Sequence, residues 1–184
     1  MSGPKTIDTL VNDIYNLVNT GKKNPDKEAL FALGSAVMEA VRRQLWMATS
    51  EAPGRLRMSN IGKPCSRQLW YDVNGDDKAE ELSPQTRLKF MIGDIVEAFL
   101  IYLSKEAGHS VTQQQAEIEL SGIKGHIDCV IDDELVDIKS ASAFAMKKFK
   151  NGTLPDDDPF GYISQISGYG NALGKKRGTF LAFD

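Results

Sequence analysis

"GHIDCVIDDELVDIKS", residues 125–140, decides how this chain is read. Asp128 is flanked by Ile127 and Cys129, and Asp137 by Val136 and Ile138. Both therefore sit in apolar, strand-like surroundings where aspartate is disfavoured, and a carboxylate held there needs a partner. If Asp132 and Asp133 form a two-residue turn, residues pair across it so that their numbers sum to 265, and a four-residue loop gives the same register. An odd-numbered loop would break it. In this register Asp128 faces Asp137 and His126 faces Lys139. Directly opposed side chains have Cβ atoms about 4.5–5.5 Å apart, where like charges repel, so something positive belongs between the aspartates. Period two puts Leu135, Asp137 and Lys139 on one face and Val136 and Ile138 on the other. Two carboxylates beside an ammonium suit a hard divalent ion, Mg²⁺ or Mn²⁺. Asp132, Asp133 and Glu134 read as a merely soluble hairpin tip, and His126 as an ordinary strand residue.

Downstream of this stretch the sequence reads as a short basic helix from about Ser142 to Lys150 and a loop, NGTLPDDDP. A helix from Phe160 to Leu173 follows, stopped by Gly174, and then a last strand, RGTFLAFD. Upstream, Val111 to Leu120 reads as extended, with a turn at Ser121 and Gly122. A helix is expected from Ser83 and Pro84 to Gly108, and a shorter one from Ser59 to about Asp72, packed through Leu69, Trp70 and Tyr71. EAPG, 51–54, reads as a loop. Before it, Ile7, Leu10, Val11, Ile14, Tyr15 and Val18 recur at helical spacing until Gly21. A second helix from about Pro25 and Asp26 carries Leu30, Leu33, Val37, Val41 and Leu45. From residue 84 the order is helix, three strands, helix, strand, an α/β core rather than a bundle. The chain divides into an N-terminal helical extension, 1–54, and a core, 55–184.

On the helix from Pro84, the residues Leu88, Met91, Ile92, Ile95, Phe99, Tyr102 and Leu103 form the expected main apolar face. Glu97 lies nearly opposite, among Gly93, Leu100 and Ile101. A glycine one turn before a carboxylate would let a strand or ligand approach.

Composition narrows the classes. The chain has 184 residues, 41% of them hydrophobic, which suffices for one sizeable core. Charged residues make up 26% and there is no low-complexity tract, which argues against disorder. Cys65 and Cys129 have no CxxC partner, which argues against a disulfide framework or a complete thiolate metal site. No signal peptide or membrane span is read, since Lys89, Asp94 and Glu97 interrupt the most apolar window, 88–103. A soluble, cytoplasmic protein is expected. The net charge of −3 hides an uneven distribution. Acid gathers at 76–81 (DDKAEE), 132–137 and 156–158. Base gathers at Arg42 and Arg43, at Arg55, Arg57, Lys63 and Arg67, at Lys147, Lys148 and Lys150, and at 175–177.

"GHID", a short gap and "LVDIKS" together resemble the PD-(D/E)xK nuclease superfamily, specifically its RecB-like exonuclease branch. The resemblance implies a restriction-endonuclease-like core, a mixed central sheet flanked by helices, in the order already read. It implies that Asp128 and Asp137 are metal ligands, that the Ile138 carbonyl completes the shell, and that Lys139 positions or activates the attacking water. Gln165 and Tyr169 in "QISGY" match the branch's glutamine and tyrosine four residues apart. Gly93 and Glu97 match its glycine and histidine, with glutamate in the histidine's place and equally able to bind the ion. "CSRQLWYDVNG" resembles an element of the CRISPR-associated and phage recombination members in which the cysteine helps hold an iron-sulfur cluster. Only Cys65 matches and no C-terminal cysteine trio follows, so a cluster is not expected.

The resemblance therefore implies an Mg²⁺- or Mn²⁺-dependent deoxyribonuclease, with Glu97, Asp128, Asp137, Lys139, Gln165 and Tyr169 in the site. An exonuclease acting on DNA ends or single strands in recombination, repair or phage DNA metabolism stands ahead of a structure-selective or site-specific endonuclease. The host would be a bacterial or phage-infected cell. A non-catalytic DNA-binding subunit is the reading from another class, and a Ca²⁺-stabilised hairpin a third. DNA is the expected partner, with room for a single-strand annealing or recombination protein. Arg55, Arg57, Ser59, Lys63 and Arg67 are the expected phosphate-tracking wall, with Lys147, Lys148 and Lys150 on the other side. For the N-terminal helices, bracing and an arch over substrate both stay open.

Overall fold

Apolar repeats at the N-terminus fold into α1 (Leu10–Thr20), entered through a 3-10 turn at Ile7–Thr9, and α2 (Lys27–Leu45). A computed structural model of the chain describes residues 4–46, 54–75 and 82–184; the acidic run 76–81 and most of the 51–54 loop lie outside them. Gly21 closes α1 at φ 67°, and the Asp26 carboxylate caps α2 by accepting from the Glu28 and Ala29 N–H groups at 2.9 and 3.1 Å. Next come α3 (Ser66–Asn74) and α4 (Pro84–Glu106), the latter started by Ser83 Oγ accepting from Thr86 N–H at 3.2 Å. Five strands follow: β1 (Val111–Thr112), β2 (Glu117–Leu120), β3 (Ile123–His126), β4 (Cys129–Ile131) and β5 (Glu134–Ser140). The chain ends with α5 (Ala143–Asn151), α6 (Tyr162–Leu173) and β6 (Gly178–Phe183).

The fold is α/β, with a four-stranded mixed sheet in the order β1-β4-β5-β6 and a separate two-stranded sheet, β2-β3. β4 and β5 pair antiparallel with Cys129 opposite Val136 and Ile131 opposite Glu134, the register expected from a two-residue turn. Asp132 and Asp133 form that turn at φ 48° and 66°, the paired positive φ of a type I′ hairpin. β6 lies parallel to β5, reached through α5 and α6.

Several expectations need correction. The extended stretch 111–120 is broken at Gln113 and Gln115, each at φ 51°, and its second half pairs only with β3. The 125–140 stretch is likewise interrupted between His126 and Cys129, so His126 faces Glu117 rather than Lys139. The segment from Ser59 begins as tight turns, and its helix starts only at Ser66, after Pro64, because the residue preceding a proline is pushed out of the helical region. Trp70 on that helix is exposed. On α4 the buried side is Leu100, Ile101 and Ser104, while Leu88, Ile92 and Phe99 face outward. The reason is that β5 approaches at Gly93, where an added Cβ would lie 3.5 Å from Ser140 Oγ, so the Glu97 side is turned to the sheet. Nor is Asp132 a free tip: its carboxylate accepts from Ser110 N–H at 3.0 Å and lies 2.6 Å from His109 Nδ1.

Two apolar layers cover the sheet. Leu10 and Ile14 of α1 join Leu100 and Ile101 against Cys129, Ile131, Val136 and Ile138. Ile166 and Tyr169 of α6 join Met58 against Ile127, Val130 and Leu135. Val136 and Ile138 thus face one layer and Leu135 the other, as strand alternation requires. Met58 reaches the second layer because Met58 N–H donates to Lys124 O at 3.0 Å, docking residues 57–62 beside β3. Among the described residues no helix is long and apolar enough to cross a membrane.

Candidate active site

β4 stops one residue short of Asp128, and this early end builds the site. Freed from the ladder, the Asp128 carboxylate accepts the Ile138 N–H at 2.6 Å. In a strand the N–H and C=O of one residue leave by the same edge, so the Ile138 carbonyl also points to where β4 has ended. Asp137, the next residue back on β5, is 1% exposed. Its Oδ2 lies 2.7 Å from Lys139 Nζ, and its Oδ1 is buried without a hydrogen-bond donor among the described residues. Glu97 approaches from α4, with its Oε1 accepting from Gln115 Nε2 at 2.6 Å.

The electrostatics record the crowding. Burial, then Asp137, then Glu97 push the Asp128 carboxyl up to about 8. Burial also raises Asp137, against the pull of Lys139. Glu97 is raised by burial, with the Gln115 hydrogen bond opposing. For Lys139 burial acts downward, but the Asp137 carboxylate outweighs it and the net shift is upward, so this lysine carries its charge at neutral pH. Its ammonium also stands 4.8 Å from the centroid of the Tyr162 ring.

Gln165 and Tyr169, one turn apart on α6, are joined by a 2.9 Å hydrogen bond from Gln165 Nε2 to the Tyr169 hydroxyl oxygen. They open into a groove of about 780 Å³ together with Arg55, Arg57 and Ser59. Lys124 and His126, from β3, line the same groove. The rest of the expected phosphate-tracking set lies elsewhere. Lys63 pairs with Asp72 at 2.9 Å, and Arg67 stacks its guanidinium 5.7 Å from the Tyr71 ring centroid. Lys148 pairs with Asp157 and lines a smaller cavity with Lys139, while Lys147 is exposed on α5. Glu97 and Asp128 line a third cavity, of about 390 Å³, walled by α2 and α4. Asp137 is 1% exposed and lines none of these three openings, each of which is lined instead by a residue close to it, Asp128, Lys139 or Tyr169.

No family model, curated protein or solved structure matches this chain.

Among the described residues no three His, Cys, Asp or Glu side chains converge as a ready metal shell. The donor set nevertheless fits a hard cation. It is all oxygen, Asp137 and Glu97 raise the Asp128 pKa and Asp137 that of Glu97, and among the described residues a buried Asp137 oxygen lacks a donor. The sequence reading missed Gln115, which holds Glu97; Asp94, whose Oδ2 lies 3.5 Å from Arg43; and Tyr162 beneath Lys139. Asp94 was legible in principle, three residues before Glu97 and so on the same helix face. Gln115 was not, because its loop has no periodicity.

Proposed function

We propose that this chain is a metal-dependent DNA nuclease of the PD-(D/E)xK kind, its α/β sheet and helices forming a restriction-endonuclease-like core. The observation that carries this reading is the Asp137 carboxylate, buried on β5 beside the Lys139 ammonium and near enough to Asp128 to raise its carboxyl. Such an arrangement is poor for stability, because clustered buried carboxylates raise one another's free energy, and broken local rules of this sort mark functional sites.

Asp128 and Asp137 would hold the ion, with Glu97 reaching it from α4 and the Ile138 carbonyl pointing to the same edge. A divalent ion supplies Lewis-acid polarisation of a phosphate and acidifies water. The chain's own groups do the rest. Lys139, charged at neutral pH, is suited to neutralise a non-bridging phosphate oxygen and orient the nucleophile, and unsuited to remove a proton from it. Tyr169 is kept in its phenol form by burial, and since its oxygen accepts from Gln165, its proton remains available to a phosphate oxygen. Arg55, Arg57 and Ser59 give a groove in which a DNA backbone would reach that pair, while Lys124 there is held by Glu117 at 2.7 Å.

The test is cleavage of end-labelled linear and covalently closed circular DNA with Mg²⁺, Mn²⁺, Ca²⁺ or EDTA. Metal-dependent loss of linear DNA that spares the circle is expected of an exonuclease. Cutting of the circle would make it an endonuclease, and no cutting under any condition would overturn the nuclease reading in favour of a DNA-binding subunit.

A further inference from the structure

The end of β5 and the starts of α5 and α6 enclose a cavity of about 210 Å³, of whose walls the reaction at Asp137 uses Lys139 alone. Its walls include Lys139, Ser142, Lys148, Phe160 and Tyr162. Two features set it apart from the other cavities. First, it joins two ammonium groups that are largely buried: the Lys139 side chain is 17% exposed and that of Lys148 16%. Second, it opens past a stack of rings. Phe160 and Tyr162 lie 5.4 Å apart at 23° between planes, and Phe160 is 63% exposed, so the stack has a free outer face.

Ammonium groups at depth with an aromatic face at the mouth make a chemistry that recognises a nucleotide, phosphate inside and base stacked outside. Lys148 is held by the Asp157 carboxylate and donates to the Asp157 carbonyl at 3.0 Å, and Asp157 is itself mostly exposed, so an arriving phosphate competes with a solvated partner. Size narrows the occupant further. Clefts that take drug-sized ligands span about 300–1,000 Å³, so this cavity suits part of one nucleotide and excludes a strand running through it.

We propose that this cavity is a subsite for the terminal nucleotide of a DNA strand, with the base on Phe160 and the phosphate on Lys148 and Lys139. The DNA origin of that nucleotide rests on the nuclease reading; recognition of the nucleotide does not. Lys139 would then touch both the anchored end and the reacting phosphate, which makes reaction begin at ends.

Calorimetric titration of the full chain without divalent metal tests this, using dTMP, thymidine and inorganic phosphate as ligands. Wild type is compared with Phe160→Ala, Phe160→Tyr and Lys148→Ala, each checked for an intact fold by circular dichroism. Tighter binding of dTMP than of either part alone is expected. Phe160→Ala should weaken dTMP about 5- to 150-fold, the value of one lost base stack, leave phosphate unchanged and be rescued in Phe160→Tyr. Equal affinity for dTMP and phosphate in wild type, or dTMP binding indifferent to Phe160→Ala, would overturn the subsite. So would an absence of dTMP binding by the folded chain, whether or not it cuts DNA. A chain that binds dTMP in the expected pattern yet cuts no DNA would keep the subsite and refute the nuclease reading.

Discussion

Asp128 accepts the backbone N–H of Ile138 at 2.6 Å from beyond the end of β4. The bond takes the place of the next rung of the ladder and fixes one carboxylate beside another, Asp137, with Lys139 as the cation on the same strand.

That crowding makes the metal-free protein sensitive to alkali. The Asp128 carboxyl sits near 8 in the folded chain against an ordinary value of 3.8, so between these limits the folded state binds more protons than the unfolded one. The stabilisation is complete below about pH 4 and disappears as pH rises through 8, and raised Asp137, Glu97 and Asp94 act in the same direction. Thermal melts in EDTA should show this cluster lowering Tm from pH 5 to pH 8, and Mn²⁺ at pH 8 should recover part of the loss. A Tm in EDTA that rises over this range in wild type and equally in Asp128→Asn would dismiss the assignment.

Removing the cation should harm both fold and reaction. Lys139→Met leaves a 1%-exposed carboxylate facing no ammonium, a change that costs about 3–5 kcal/mol at neutral pH and less at lower pH, because burial raises Asp137 and favours its neutral form. Urea unfolding at pH 5 and pH 7.5 measures the difference. Cleavage should fall by about 10²–10⁴-fold at a temperature where the variant is folded.

Close backbone contact positions the groove wall. A Cβ at Gly125 would lie 2.6 Å from Met58 Cβ and 2.9 Å from Tyr169 Cε1, and one at Gly62 would lie 2.5 Å from Gly161 O. Gly125→Ala and Gly62→Ala should each lose about 1–3 kcal/mol in urea unfolding. Gly34→Ala, where nothing lies within 4 Å on a helix, should hold or gain stability.

His109 ties the N-terminal helix to the hairpin. Its side chain is fully buried, with Nδ1 2.6 Å from Asp132 Oδ2 and Nε2 3.2 Å from Asp13 Oδ2. His109→Ala leaves two carboxylates facing a void and should cost about 2–5 kcal/mol, seen as a lower urea midpoint with an unchanged slope.

In the groove, Arg55→Ala should weaken single-stranded DNA and reduce the slope of log affinity against log salt by about 0.7, the share of one phosphate contact. Arg67→Ala should change the slope less, since that guanidinium is engaged by Tyr71. Equal slopes for wild type and Arg55→Ala would remove the groove from the DNA path.

The hairpin was legible because strand alternation and the Asp132–Asp133 turn are local, and together they set the β4–β5 register. The break at Ile127 and Asp128 was not. On its β3 side Met58 and Tyr169 pack closely over Gly125, a contact between segments far apart in sequence that no local pattern announces. The same distance hid the Glu97 partner, Gln115, and the His109 clamp. On α4 the hydrophobic pattern pointed to the wrong face, because two apolar stripes were present and only Gly93 tells which one the sheet can approach. Asp158 looked like one of an acidic run, yet its carboxylate caps α6, accepting from the Tyr162 and Ile163 N–H groups at 3.0 and 2.8 Å.

The decisive measurement is the rate of single-stranded DNA cleavage by wild type and Asp137→Asn, side by side, across a Mn²⁺ titration. The asparagine keeps the shape and removes the buried charge but leaves Lys139 without its 2.7 Å partner, so the rates are compared at a temperature where circular dichroism shows both proteins folded. Cleavage by wild type that saturates with Mn²⁺, and falls about 10³-fold or more in Asp137→Asn, is the expected result. Equal cleavage by the two proteins at saturating Mn²⁺ would refute Asp137 as the centre of the site.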